Sequence, residues 1–147
     1  MEKTEQYRLL ERQVAALVEG ETDVIAKMAN IAAALHETFG FWWTGFYRVV
    51  GEELVLGPFQ GPVACMHIPF GKGVCGTAWK RNETVVVPDV EEFPGHIACS
   101  SASKSEIVVP VHGAGGEVVA VLDIDSDRLA TFDDEDRVWL ERIVTLL

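Results

Sequence analysis

The sequence predicts an α+β fold. A mainly antiparallel central sheet carries the N- and C-terminal helices on one face. Loops and a short helix enclose a pocket on the other. Three observations lead there. Apolar residues recur at helical spacing near both ends of the chain. The middle is built of short apolar stretches, several joined by turns tight enough for hairpins. The 147 residues contain no repeat, low-complexity tract or linker, so a single domain, 1–147, is expected.

Taken in order, Tyr7 to Val18 mixes Leu and Ala with charge and predicts a first helix. Thr22 can cap a second, whose Val24, Met28, Ile31, Leu35 and Phe39 fall on one face, with Gly40 as its stop. Phe41 to Val50 is aromatic and β-branched, and a turn at Gly51-Glu52 leads to a short strand at Glu53 to Leu56. Pro58 to Pro62 reads as a break, and Ala64 to Pro69 as a third strand. Gly71, Gly73 and Gly76 punctuate a loop into a short helix ending near Arg81. Thr84 to Val87 is a strand stopped by Pro88, and a long loop runs from Asp89 to Ser103. Strands at Glu106 to Val111 and Glu117 to Ile124 flank a turn at Gly113 to Gly116. Asp133 opens a last helix with acids in its first turn and Trp139, Ile143 and Leu146 as its buried stripe.

Composition excludes several classes of function. Twelve basic against twenty-three acidic residues leave a formal charge of -11, which opposes phosphate-driven nucleic-acid binding and docking to anionic membranes. No apolar stretch reaches the roughly 18 residues of a membrane span. The first twenty residues carry four Glu and no apolar run, unlike a signal peptide, so a cytoplasmic protein is expected. Three cysteines in a reducing compartment point to redox chemistry or metal binding rather than to structural disulfides.

The first candidate site is those cysteines. Cys99 sits among small residues in the long loop, where a thiol can be accessible, although a free cysteine is also often a small buried hydrophobe. Cys75 lies between Val74 and Gly76 at a helix start, where free N–H groups and nearby Lys72 would lower a thiol pKa. Cys65, ten residues earlier, could meet Cys75 across the loop-to-helix turn, and Cys99 could reach both. A metal site using His67 and His96 is the rival, but close paired-ligand spacings are absent and no metal is expected.

The second candidate is acidic. Asp123 and Asp125 are two apart in one strand and leave the same face, and the hairpin brings Glu106 of the preceding strand near them. Clustered carboxylates raise one another's pKa, so one could hold a proton and others bind an ammonium group. A solvated strand end would look similar. The third candidate is aromatic: alternation puts Phe41, Trp43 and Tyr47 on one face and Trp42 and Phe46 on the other, one packing on helices and one able to line a pocket.

Several segments together resemble the free methionine-R-sulfoxide reductases, a group of GAF domains. They are Gly57-Pro58-Phe59-Gln60-Gly61, Gly71-Lys72-Gly73-Val74-Cys75-Gly76, Val87-Pro88-Asp89-Val90, Phe93-Pro94-Gly95-His96-Ile97-Ala98-Cys99, Ser105-Glu106-Ile107-Val108-Val109-Pro110 and Leu122-Asp123-Ile124-Asp125-Ser126. They span most of the chain after residue 40, and most GAF domains lack cysteines in these contexts. The resemblance implies a GAF-like fold and reduction of the R epimer of free methionine sulfoxide, with thioredoxin as reductant. It implies Cys99 as nucleophile, Cys75 as the cysteine that pairs with it and Cys65 as a further resolving cysteine. Glu106, Asp123 and Asp125, with Trp43 and Tyr47, match the substrate pocket. No metal or organic cofactor is implied, and a homodimer through the terminal helices is. Two other functions fit parts of the pattern. A non-catalytic GAF sensor of a small ligand would ordinarily be tethered to an output domain. A cysteine redox switch would need the thiols but not the acids.

Overall fold

The computed structural model describes residues 1–97 and 102–147. Its elements run α1 (Lys3–Val18), α2 (Val24–Phe39), β1 (Trp43–Val50), β2 (Glu53–Gln60), β3 (His67–Pro69), α3 (Gly73–Arg81), β4 (Val85–Val87), β5 (Ser105–His112), β6 (Val118–Ser126) and α4 (Asp134–Val144). The six strands form one sheet ordered β3-β2-β1-β6-β5-β4. Every neighbouring pair is antiparallel. The α+β expectation therefore holds.

Strand alternation divides the interior into two halves. Phe46 of β1, Ile107, Val109 and Val111 of β5, and Ala120, Leu122 and Ile124 of β6 pack with the buried stripes of α1, α2 and α4. On the opposite face Trp43, Tyr47, Val108 and Val121 pack with Val74, Cys75 and Ala78 of α3. The first half is a conventional apolar core. The second holds the polar groups described below.

Several local departures from the sequence reading have physical reasons. Asp23, not Thr22, caps α2: its carboxylate accepts from the N–H groups of Ile25 and Ala26 at 2.9 and 3.0 Å. Gly40 ends that helix as expected, with φ 65° and its N–H donating to the His36 carbonyl. Strand β2 does not stop at Leu56 but continues to Gln60. A bulge between the Tyr47↔Leu56 and Gly45↔Phe59 pairs absorbs one extra residue, which lets Pro58 sit in a strand. Phe41 precedes β1, so strand alternation does not govern it. It packs on the helix-side core, stacked on Phe39, while Trp42 packs on the α3 side, the reverse of the predicted faces. In α4 the fully buried apolar residues are Leu140 and Ile143; Trp139, and Leu146 just beyond the helix end, are only partly buried.

The chain ends are joined through one carboxylate. Asp136 is 2 % exposed and accepts from Tyr7 Oη at 2.6 Å, from Lys3 Nζ at 2.8 Å and from the Asp133 N–H at 2.9 Å. The last of these belongs to the capping box that starts α4. Tyr7 is itself wholly buried, and its ring lies 4.5 Å from Phe39 and 6.0 Å from Trp139. Tyr7→Phe keeps those ring contacts and removes one hydrogen bond to a charged acceptor. It should lower unfolding free energy by roughly 1.5–3 kcal/mol in urea titration without altering the m-value.

Candidate active site

The strand register assembles the acids. Glu106 of β5 lies opposite Asp125 of β6, and Val108 lies opposite Asp123. On the other edge of β6, Asp125 pairs with Trp43 and Asp123 with Gly45. Glu106, Asp123 and Asp125 therefore rise from adjacent strands on the face away from the three long helices. Trp43, Tyr47, Cys75, Glu106, Asp123 and Asp125 line one cleft under α3. Trp42 lines it too, as do His96 and Ser103.

Burial controls the chemistry of this cluster. Glu106 and Asp123 are 6 % and 5 % exposed, and Asp125 keeps somewhat more exposure. Desolvation pushes the Glu106 carboxyl well above its ordinary range, and the charges of Asp123 and Asp125 push it further. Desolvation also raises Asp125 well above its usual value, with the Asp123 charge adding to it, and contacts to Glu106 and Ser103 oppose the rise. Asp123 is raised by burial, partly offset by contacts to Glu106 and the Cys75 thiol. Ser103 Oγ donates to Asp125 Oδ1 at 3.4 Å. Oδ1 of Asp123 is buried with no hydrogen-bond partner among the described residues. The acids are thus not a solvated strand end. They are a desolvated cluster whose carboxyls are pushed toward their protonated forms, with an open acceptor at Asp123 Oδ1.

The cysteines depart from expectation in two respects. Cys75 stands in the first turn of α3, yet its thiol pKa is raised, not lowered. Complete burial dominates, and the Asp123, Glu106 and Asp125 charges act in the same direction, overriding the helix terminus. Cys75 is also the free thiol, whereas Cys65 is disulfide-bonded, so the structure does not show Cys75 in a bridge. Cys99 lies outside the described residues.

The aromatics join the cleft with their polar tips engaged. Trp43 Nε1 donates to the Pro62 carbonyl at 3.0 Å, and Tyr47 Oη donates to the Cys65 carbonyl at 2.8 Å. Trp43 stacks between Tyr47 and Phe59, at 6.0 and 5.3 Å.

Of the two histidines considered as ligands, His67 is on the surface beside Glu53, 2.9 Å away, and lies off the cleft. His96 is in it, with Nε2 4.0 Å from Glu106 Oε1 and a pKa lowered by burial. The ligand atoms of Cys75, Glu106 and Asp123 lie within 4.8 Å of one another and could hold a cation. They come from three elements, so no close spacing in sequence marks them. Ser103 and Trp42 were not foreseen as cleft residues. Among the described residues no helix is long and apolar enough to cross a membrane.

The raised carboxyls have a consequence for stability. Between the ordinary carboxylate range near pH 4 and the raised values, the folded chain binds more protons than the unfolded chain. Stability from this cluster is therefore lost as pH rises through the raised pKa values. Thermal scans of the ligand-free protein should show Tm falling from pH 5 to pH 8. Glu106→Gln, the neutral isostere, should make that fall shallower. An unchanged slope would mean that Glu106 ionises as it does in water.

Comparison with known proteins gives consistent matches. The GAF domain family model matches residues 20–147. GAF domain-containing protein A of Dictyostelium discoideum is 56% identical over 146 residues, covering 99% of this chain and 92% of that protein. The free methionine-R-sulfoxide reductase of Escherichia coli K12 is 48% identical over 148 residues, covering 100% of this chain and 89% of its own length. Among solved structures, a free methionine-R-sulfoxide reductase from Neisseria meningitidis in complex with its substrate superposes with a TM-score of 0.97. That match has 51% identity and covers 99% of this chain and 88% of the other.

Proposed function

The chain belongs to the GAF domain family and, within it, to the free methionine-R-sulfoxide reductases, and on that footing we propose that it reduces the R epimer of free methionine sulfoxide to methionine. Membership makes it an oxidoreductase. The observation that carries the substrate assignment is the buried Glu106–Asp123–Asp125 cluster in a cleft whose described lining contains neither Lys nor Arg. Three desolvated acids side by side must be neutralised by protons or by a ligand's cation. A free amino acid sulfoxide answers both needs. Its ammonium is a donor for the open Asp123 acceptor, and its oxygen takes up a proton from a carboxyl that burial and its acidic neighbours push toward the protonated form.

The reaction then follows in balanced steps. A carboxylic acid of the cluster protonates the sulfoxide oxygen, which makes the sulfur electrophilic. The Cys99 thiolate attacks, methionine leaves, and the oxygen stays on Cys99 as a sulfenic acid. A second thiol condenses with it, forming an S–S bond and releasing water. Cys65 takes that part in our reading, supported by its disulfide-bonded state here. Cys75, held as a buried thiol among carboxylates, forms part of the pocket wall. A dithiol protein, thioredoxin, restores both thiols by exchange and becomes a disulfide itself.

The test uses free methionine sulfoxide of both epimers with dithiothreitol. Only the R epimer should disappear, and Cys99→Ser should abolish the loss. Cys65→Ser should cost much more with thioredoxin than with dithiothreitol, a small thiol able to reach Cys99 directly. N-acetylmethionine sulfoxide lacks the ammonium, so its kcat/KM should fall about ten- to a hundredfold. Equal use of the acetylated substrate, or normal turnover by Cys99→Ser, would overturn the reading.

A further inference from the structure

Residues 61–66 connect β2 to β3 without regular secondary structure, and this connection carries Cys65. Its Pro62, Val63 and Met66 are exposed, Val63 by 88% and Met66 by 67%. Ala64 packs against the α3-side core and Cys65 is disulfide-bonded, and three hydrogen bonds hold the backbone between and beside them. Trp43 Nε1 donates to the Pro62 carbonyl, Tyr47 Oη to the Cys65 carbonyl, and the Leu56 N–H to the Met66 carbonyl at 2.9 Å. Gly61 takes φ 128°, and a Cβ there would lie 2.8 Å from Trp43 Cδ1, so the chain lies directly on the Trp43 ring.

An indole has one donor and a phenol one O–H. Both donors are committed to the backbone, so neither aromatic offers its N–H or O–H to a substrate in this arrangement. We propose that Tyr47 and Trp43 are positioning residues for Cys65, holding its segment across β1 so that its thiol is presented to the sulfenic acid. The inference rests on the reading above, in which Cys65 is the second thiol. Desolvation and the neighbouring acids raise the Tyr47 phenol pKa, which keeps it a donor throughout the working pH range.

A latch of this kind acts on the reduced chain, because the disulfide itself restrains the segment once formed. Releasing the latch lets the reduced segment spread over more conformations, lowers the effective concentration of Cys65 and makes its disulfide easier to reduce. Equilibration with mixtures of reduced and oxidised glutathione measures this without substrate: the disulfide and two glutathione thiols exchange with two protein thiols and one glutathione disulfide. Tyr47→Phe keeps the ring and removes only the donor. Its equilibrium constant for disulfide formation should fall roughly three- to tenfold, the effect of one hydrogen bond, equivalent to about 15–30 mV. Trp43→Phe, releasing Pro62, should shift it in the same direction. In rapid-quench reactions with methionine sulfoxide, Tyr47→Phe should slow disulfide formation more than methionine release. Glutathione equilibria within twofold of wild type for both variants would overturn the proposal, whatever their thermal stability. If the wild type forms the Cys65 disulfide but releases no methionine, the reductase reading fails, and the glutathione equilibria still decide the positioning role.

Discussion

The desolvation of like charges is the constraint on which this site depends. Three carboxylates cannot all be charged in a dry cleft without a cation, and the antiparallel register of β1, β6 and β5 leaves no freedom to separate them. The same register sends Ile107, Leu122 and Ile124 into the helix-side core. Slipping one strand by a residue would turn those side chains into the cleft and bury the acids among the helices. The apolar core thus holds the acidic cluster in place, and the stability of one face supplies the strain of the other.

The cluster's influence extends to its neighbours. It pushes the Cys75 thiol and the Tyr47 phenol toward their protonated forms, so both remain hydrogen-bond donors. Tyr47 uses its donor to hold the backbone at Cys65. His96, 4.0 Å from Glu106, is driven toward neutrality by its own burial and adds no compensating charge. Under the proposed function, a single electrostatic condition would link the substrate's cation, the proton for its oxygen and the placement of a cysteine. The terminal helices are tied together elsewhere, at Asp136, on the other side of the sheet from this chemistry.

Much of this was legible in the sequence because it depends on local periodicity. The two-residue spacing of Asp123 and Asp125, and a hairpin turn between Glu106 and Asp123, were enough to bring the three acids together. The Gly40 stop of α2, the Asp133 start of α4, the cleft's place under the short helix and the pairing of Trp43 with Tyr47 on one face followed from similar signals, whereas α1 begins earlier than Tyr7 and Asp23 takes the cap expected of Thr22. What could not be read depends on neighbours distant in sequence. The Cys75 pKa was expected to follow its helix terminus, but three acids from β5 and β6 and complete burial reverse it. Phe41 and Trp42 exchanged faces because β1 begins only at Trp43, a boundary set by pairing with β6. Strand β2 runs through Pro58 because a bulge accommodates it. No spacing announced that the Trp43 and Tyr47 donors would be taken up by the Pro62 and Cys65 carbonyls.

The central claim is that the ligand-free cluster holds protons in place of a cation, and that a ligand's ammonium displaces part of them while a carboxylic acid remains for the sulfoxide oxygen. The most direct measurement is calorimetry of methionine binding to the reduced protein near pH 7, repeated in buffers of different ionisation enthalpy. The slope of apparent enthalpy against buffer ionisation enthalpy reports protons exchanged on binding. Methionine carries the ammonium but no sulfoxide oxygen, so it leaves the cluster no reason to keep the displaced proton. The account predicts net release of a proton into the buffer, with the release diminished in Glu106→Gln. Binding with no buffer dependence in the wild type, or with net proton uptake, would contradict it.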